Sequence, residues 1–128
     1  MTSSPDAAID RMLAEARAAL PHRPGPAELD DLLAQGTLVV DLRPESDRTA
    51  EGELPGAVVV ERNVLEWRLD PTSPNRLEAA TSTDMTVVLV CNDGYASTLA
   101  ATCLQQLGLH RATDLDGGYR AWHRHRSA

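Results

Sequence analysis

The chain has 128 residues, 24% of them charged and 42% hydrophobic, with a formal net charge of −7. That is the size and composition of one globular domain that can build a core without a disulfide or metal staple. The acidic balance, with no basic stripe, argues against wholesale nucleic-acid binding, and no apolar run approaches the ~20 residues of a membrane span.

The N-terminus "MTSSPDAAIDRML" carries acids and no apolar core segment, so no signal peptide is expected and the cytoplasm is the default. Residues 5–20 then read as an amphipathic helix, with Ile9, Met12, Leu13, Ala16 and Leu20 at helical spacing. "PHRPGP" stops it, and Pro26 opens a short helix closed by Gly36. "TLVVDLR", 37–43, is a buried strand by its apolar run. Residues 44–56 form a polar connection with Gly and Pro. "AVVV", 57–60, is a second buried strand, and "NVLEWRL" one or two helical turns. Residues 76–80 read as a further short helix. "MTVVLV", 85–90, is the third strand. The helix at about 96–107 has Leu99, Ala100, Cys103, Leu104 and Leu107 on one face, with Gly108 ending it. "ATDLDGG" holds a short strand and a turn, and "YRAWHRHR" a last helix. Short apolar runs alternating with helical segments predict an α/β fold, a parallel sheet with helices on both faces.

In such sheets ligands sit at the carboxyl ends of the strands. Cys91 lies there, followed by the loop "NDGYAS", in which Gly94 permits a tight turn. Backbone N–H groups of a tight loop entering a helix converge on an anion and favour a thiolate without a histidine base. The residues alone leave two readings open, a nucleophile or a structural cysteine at a strand end. Cys103 falls on an apolar helix face and reads as core filler. No CxxC pair or zinc-ligand spacing occurs, so no metal is expected, and a Cys91–Cys103 disulfide is disfavoured in a reducing compartment.

Four stretches, in order, resemble the rhodanese-like family of single-domain sulfurtransferases. They are "LVVDLRPESD", "EGELPGAVVV", "VVLVCNDGYASTLAA" and "LDGGYRAW", and the resemblance covers about residues 24–125. Residues 1–23 then read as an added N-terminal helical extension, and 24–128 as the domain. The resemblance implies that Cys91 takes the outer sulfur of a sulfane donor as a persulfide and passes it to a nucleophile. No cofactor is implied. The expected partners are a small sulfane-sulfur donor with a thiol or cyanide-like acceptor, or a protein persulfide, with neither nucleic acid nor membrane. The loop from Asn92 and Asp93 through Gly94, Tyr95, Ala96 and Ser97 would bind substrate and stabilise the charged sulfur through its amides.

The sequence departs from that family's pattern at informative places. The loop carries Asp93 where many relatives carry Arg or Lys, and a carboxylate there would repel a dianionic donor. Glu53 replaces the usual His of the second motif. Substrate cations would come from Arg43, unless Asp41 holds it in an ion pair, or from Arg68 or Arg62, which flank "NVLEW". Trp67 reads as pocket wall or core, Tyr95 as substrate contact or packing, and Ser97 as helix cap or sulfur ligand. Trp122 reads as core. None of His22, His110, His123 and His125 is placed near Cys91, which leaves a Cys-His protease unsupported. Two alternatives stand beside the sulfurtransferase. One is a catalytically weak rhodanese-like binding or regulatory module. The other is a Cys-based phosphatase or arsenate reductase, which needs Arg where Ser97 stands.

Overall fold

The computed structural model describes residues 7–127. The expected start of the first helix at Pro5 lies outside the described residues; within them the helix, α1, runs Ala8–Ala19. Only part of its apolar set faces inward, Leu13 and Leu20 being half-buried and Leu20 packing against the core. Ala16 is buried, but Ile9 and Met12 are 57% and 56% exposed, because α1 lies on the outside of the later helix α5 (Ala96–Gln106) rather than on the sheet. Helix α2 (Pro26–Ala34) begins at Pro26 as expected, and the Glu28 carboxylate accepts the Gly25 N–H at 3.1 Å to close its first turn.

The sheet has the order β2-β1-β3-β4, all pairs parallel, with β1 at Leu38–Asp41, β2 at Val58–Val59, β3 at Val87–Val90 and β4 at Ala112–Asp114. Every residue of β3 is buried, so its continuous Val-Val-Leu-Val is that of a central strand covered on both faces. Alternation sorts the two cores. Val40, Val87 and Leu89 pack with Leu65, Leu69 and Leu104 on one side. Val39, Val88 and Val90 pack with Leu29, Tyr119 and Trp122 on the other. The first side is covered by α4 (Leu65–Leu69) and α5, the second by α2 and α6 (Gly118–Ser127).

Three expectations are corrected. The connection at 44–56 contains a helix, α3 (Glu45–Glu51), with no buried residue. It has no apolar stripe to betray it; Glu45 and Asp47 in its first turn and Arg48 in its last suit the helix dipole instead. The "AVVV" strand is an edge strand of two residues, and Val58 and Val59 are 38% and 41% exposed. Residues 76–80 form turns rather than a helix. The Arg76 guanidinium donates to the carbonyls of Leu77, Glu78 and Ala80, and so supplies by side chain the donors a helix would supply by backbone.

Candidate active site

Strand β3 delivers Cys91 to the carboxyl edge of the sheet, and the loop 92–95 wraps its sulfur before α5 begins. Sγ accepts the N–H of Gly94 at 3.2 Å and of Ser97 at 3.4 Å. Gly94 takes φ +81°, and a Cβ there would stand 2.9 Å from the Gly117 nitrogen and 3.1 Å from the Leu115 carbonyl. Only glycine therefore lets the loop close this tightly against the "DGG" turn. That turn holds the loop from below. The first amides of α6 donate to the loop's carbonyls, Tyr119 N–H to Cys91 at 2.8 Å and Arg120 N–H to Asn92 at 3.0 Å. The backbone that carries the cysteine is thus tied down on the side away from the sulfur.

The sulfur faces a cleft of about 310 Å³. Cys91, Asn92, Asp93, Tyr95 and Ala96 form its floor and one wall; Leu42, Arg43 and Pro44 after β1, Asp47 of α3 and Arg62 close the other. Gly94 and Ser97 stand behind the sulfur, both buried. Arg68 does not line this cleft. Its guanidinium donates to the Asn75 carbonyl at 2.8 Å, which ties the loop after α4. Arg62, at the other end of the same segment, is the one that reaches the cleft. It is paired with Glu66 at 2.8 Å and touches the Cys103 sulfur at 3.4 Å. Cys103 is half-buried and unpaired with Cys91, both thiols being free.

Arg43 is buried and bidentate to Asp41, its Nη2 also donates to the Gly52 carbonyl at 2.8 Å, and its guanidinium lies 3.7 Å from the centroid of the Tyr119 ring. The ion pair considered from sequence is present, and the residue still lines the cleft. Its Nη1 is buried with no hydrogen-bond partner among the described residues, as is Asn92 Oδ1. A buried unpaired donor is costly unless something supplies an acceptor. Arg43 thus brings a cation to the cleft wall although the loop itself has none.

Asp93 is half-exposed and does not stand alone. Arg120 on α6 donates to it at 2.8 Å while holding Glu51 of α3 through two further bonds at 2.8 and 2.9 Å. The hydrogen bond from Arg120 holds Glu51 below its ordinary carboxylate range, and Glu51 first, then Asp93, fix the Arg120 charge more firmly. Glu53 points outward and pairs with Arg48 at 3.1 Å. Ser97 is not the helix cap; Tyr95 occupies that position, with no side-chain cap bond. The Ser97 hydroxyl instead lies 3.2 Å from the Cys91 sulfur and donates to Asp114 at 2.7 Å. Tyr95 is 59% exposed, beside the Arg17 guanidinium at 5.5 Å; Trp67 is 58% exposed on α4, neither pocket wall nor core; Trp122 is buried, as expected. Asp114, Arg17, Arg23 and Arg120 were not legible as site residues, because each reaches the loop from an element distant in sequence.

The sequence matches the family model for the rhodanese-like domain over residues 25–125. The chain belongs to the rhodanese-like domain family. The rhodanese-like fold recurs in solved structures. The human single-domain sulfurtransferase TSTD1 is 27% identical with a TM-score of 0.67, over 80% of this chain and 95% of that one. A rhodanese homologue of Thermus thermophilus is 30% identical with a TM-score of 0.56, over 78% of this chain and 99% of its own. A Rhodopseudomonas palustris protein of unknown function, described as a possible tyrosine phosphatase, is 29% identical with a TM-score of 0.82, over 98% and 96% of the two chains. Among the described residues no helix is long and apolar enough to cross a membrane, and no cluster of His, Cys, Asp and Glu could hold a metal ion.

Proposed function

We propose that this rhodanese-like domain is a sulfurtransferase that moves a sulfane sulfur through a persulfide on Cys91. The observation that carries the reading is the sulfur itself, cradled by the Gly94 and Ser97 amides and open to a cleft. Those N–H groups suit a sulfur that bears negative charge. In the first half-reaction the Cys91 thiolate attacks the outer sulfur of the donor. A Cys91–sulfur bond forms, and the donor's sulfur–sulfur bond breaks with its electron pair leaving on the remnant, sulfite if the donor is thiosulfate. In the second, a thiolate or cyanide attacks the outer sulfur and the Cys91 thiolate departs. Each step exchanges one bond for another, in ping-pong order.

Asn92, Asp93, Tyr95 and Ala96 would shape the donor site, with Arg43 in its wall and Arg62 as the less buried cation beside it. Arg68 has no part in it. A phosphatase reading is raised by the neighbour described as a possible tyrosine phosphatase. Here the sixth position after the cysteine is Ser97, buried against Asp114, so no arginine fork stands there to hold a phosphoryl group.

The test is intact mass of the protein after exposure to thiosulfate, 3-mercaptopyruvate and glutathione persulfide, followed by transfer to cyanide. A gain of one sulfur, lost on adding cyanide and absent in Cys91→Ser, is the expected result. No sulfur gain with any donor, alongside Cys91-dependent hydrolysis of an aryl phosphate, would replace this reading with the phosphatase. Absence of both activities would leave a binding module.

A further inference from the structure

Asp114 ends strand β4 and has no exposed surface. Its carboxylate leads to the sulfur. Oδ2 accepts the hydroxyls of Ser97 at 2.7 Å and Thr98 at 2.8 Å, and Arg23 grips both oxygens, Nε to Oδ1 at 2.7 Å and Nη2 to Oδ2 at 3.2 Å. Ser97 has one hydroxyl proton, and a carboxylate can only accept, so that proton is committed to Asp114. The oxygen therefore meets Cys91 Sγ, 3.2 Å away, with a lone pair, and the contact is a bond donated by the thiol S–H. This polarity opposes the loop amides. The amides suit a sulfur without a proton, whereas a thiolate would face a lone pair of the hydroxyl that Asp114 holds.

We propose that Asp114, acting through Ser97, is a positioning residue that holds resting Cys91 as the protonated thiol. The consequence for turnover rests on the sulfurtransferase reading. The S–H proton must pass to water before the thiolate attacks, and the inner sulfur of the persulfide has no proton to return to Ser97. The relay thus favours the unloaded state and release of sulfur to the acceptor. Arg23, ahead of the family-matched region, balances the Asp114 charge. That contact holds the Arg23 charge above its ordinary firmness against its partial burial. Arg23 and Arg17 also both donate to the Gly94 carbonyl, at 3.3 and 3.2 Å. Residues before the matched region are thereby built into the cysteine loop.

Other charges surround the cysteine loop and its cleft, and most are already paired. From the cleft come Arg43, bound to Asp41, and Arg62, bound to Glu66, with Asp47 of α3 beside them. On the loop itself are Tyr95 and Asp93, the latter bound to Arg120. From behind come Arg17 and the Arg23–Asp114 pair, with Asp116 at 3.2 Å from Arg23. Among these, Asp114 is the carboxylate that takes the proton of a hydroxyl touching the sulfur.

The experiment is the pH profile of iodoacetamide alkylation at Cys91 in full-length protein carrying Cys103→Ser. Asp114→Asn keeps the shape and reverses the polarity. With its oxygen on Arg23 Nε, its NH2 donates to Ser97 in place of the longer bond from Arg23 Nη2, and the Ser97 proton turns to the sulfur. The profile should move to lower pH by about one unit, the size of one exchanged hydrogen bond. Ser97→Ala removes the acceptor of the S–H and should also move it lower, and in that chain the Asp114→Asn shift should shrink by more than half. An unmoved or raised midpoint in folded Asp114→Asn, or an undiminished shift without Ser97, overturns the proposal. If Asp114→Asn does not fold, Ser97→Ala decides by sign. A fall supports the relay, and a rise or no change overturns it. These shifts without sulfur transfer from any donor would sink the sulfurtransferase reading and leave the relay standing.

Discussion

A carboxylate beside a nucleophilic sulfur repels an anionic donor only as far as its own charge is unshielded. From sequence, Asp93 is the one charge in the loop. In the fold, Arg120 reaches it from α6 at 2.8 Å, which shields it at the edge of the cleft. On the proposed sulfur transfer, Arg120→Gln should therefore lower kcat/KM for thiosulfate about fivefold, roughly 1 kcal/mol of lost shielding. Asp93→Asn in the same chain should recover most of that loss. Steady-state rates across an ionic-strength series check both, because the effect of a half-exposed charge fades with salt. An Arg120→Gln rate equal to the parent would show that Asp93 is not felt by the donor. The loop sequence reveals the carboxylate but not its partner, since Arg120 lies 27 residues away and is brought in by the Gly-Gly turn.

At the scale of elements, the strand–loop–helix unit around Cys91 was the most legible part of the chain. Its apolar run, its glycine and its helical face all agree locally. The elements missed or misjudged are those with no apolar pattern of their own. Helix α3 buries nothing, β2 is a two-residue edge, and the turns at 76–80 are held by a single arginine side chain. The Gly-Gly turn also has a purpose that its sequence only hints at. Gly118 takes φ +66°, and a Cβ there would come within 2.6 Å of the Cys91 and Asn92 carbonyl oxygens. Gly118→Ala should destabilise the fold by on the order of 1–3 kcal/mol, through backbone strain and a clash with rigid backbone. Urea unfolding reads the loss as a lower midpoint at unchanged slope. A midpoint equal to the parent would mean that the loop yields at little cost.

Across the whole molecule, Arg120 joins three elements, binding Glu51 of α3 and Asp93 of the cysteine loop from its place on α6. The Glu51 carboxyl is held below its ordinary range in the folded state. Such a group adds stability that is complete above its unfolded value, near about 4.3, and is lost as pH falls through the depressed folded value. Thermal midpoints of the parent and Glu51→Gln should therefore differ at neutral pH and converge as the solution becomes strongly acidic. A difference that does not narrow with acid would assign the Glu51 effect to packing. By itself, the sequence determined the parallel α/β architecture and the strand-end setting of Cys91, because both are written in short-range periodicity and in one glycine. Only the tertiary structure decided the electrostatics around the sulfur. Arg43 is locked to Asp41, Arg62 rather than Arg68 meets the cleft, Arg120 shields Asp93, and Arg23 with Asp114 stands behind Ser97. The physical reason is that periodicity reports which face of an element is buried. The partner of a charge depends on which distant segments the packed sheet brings within hydrogen-bonding distance.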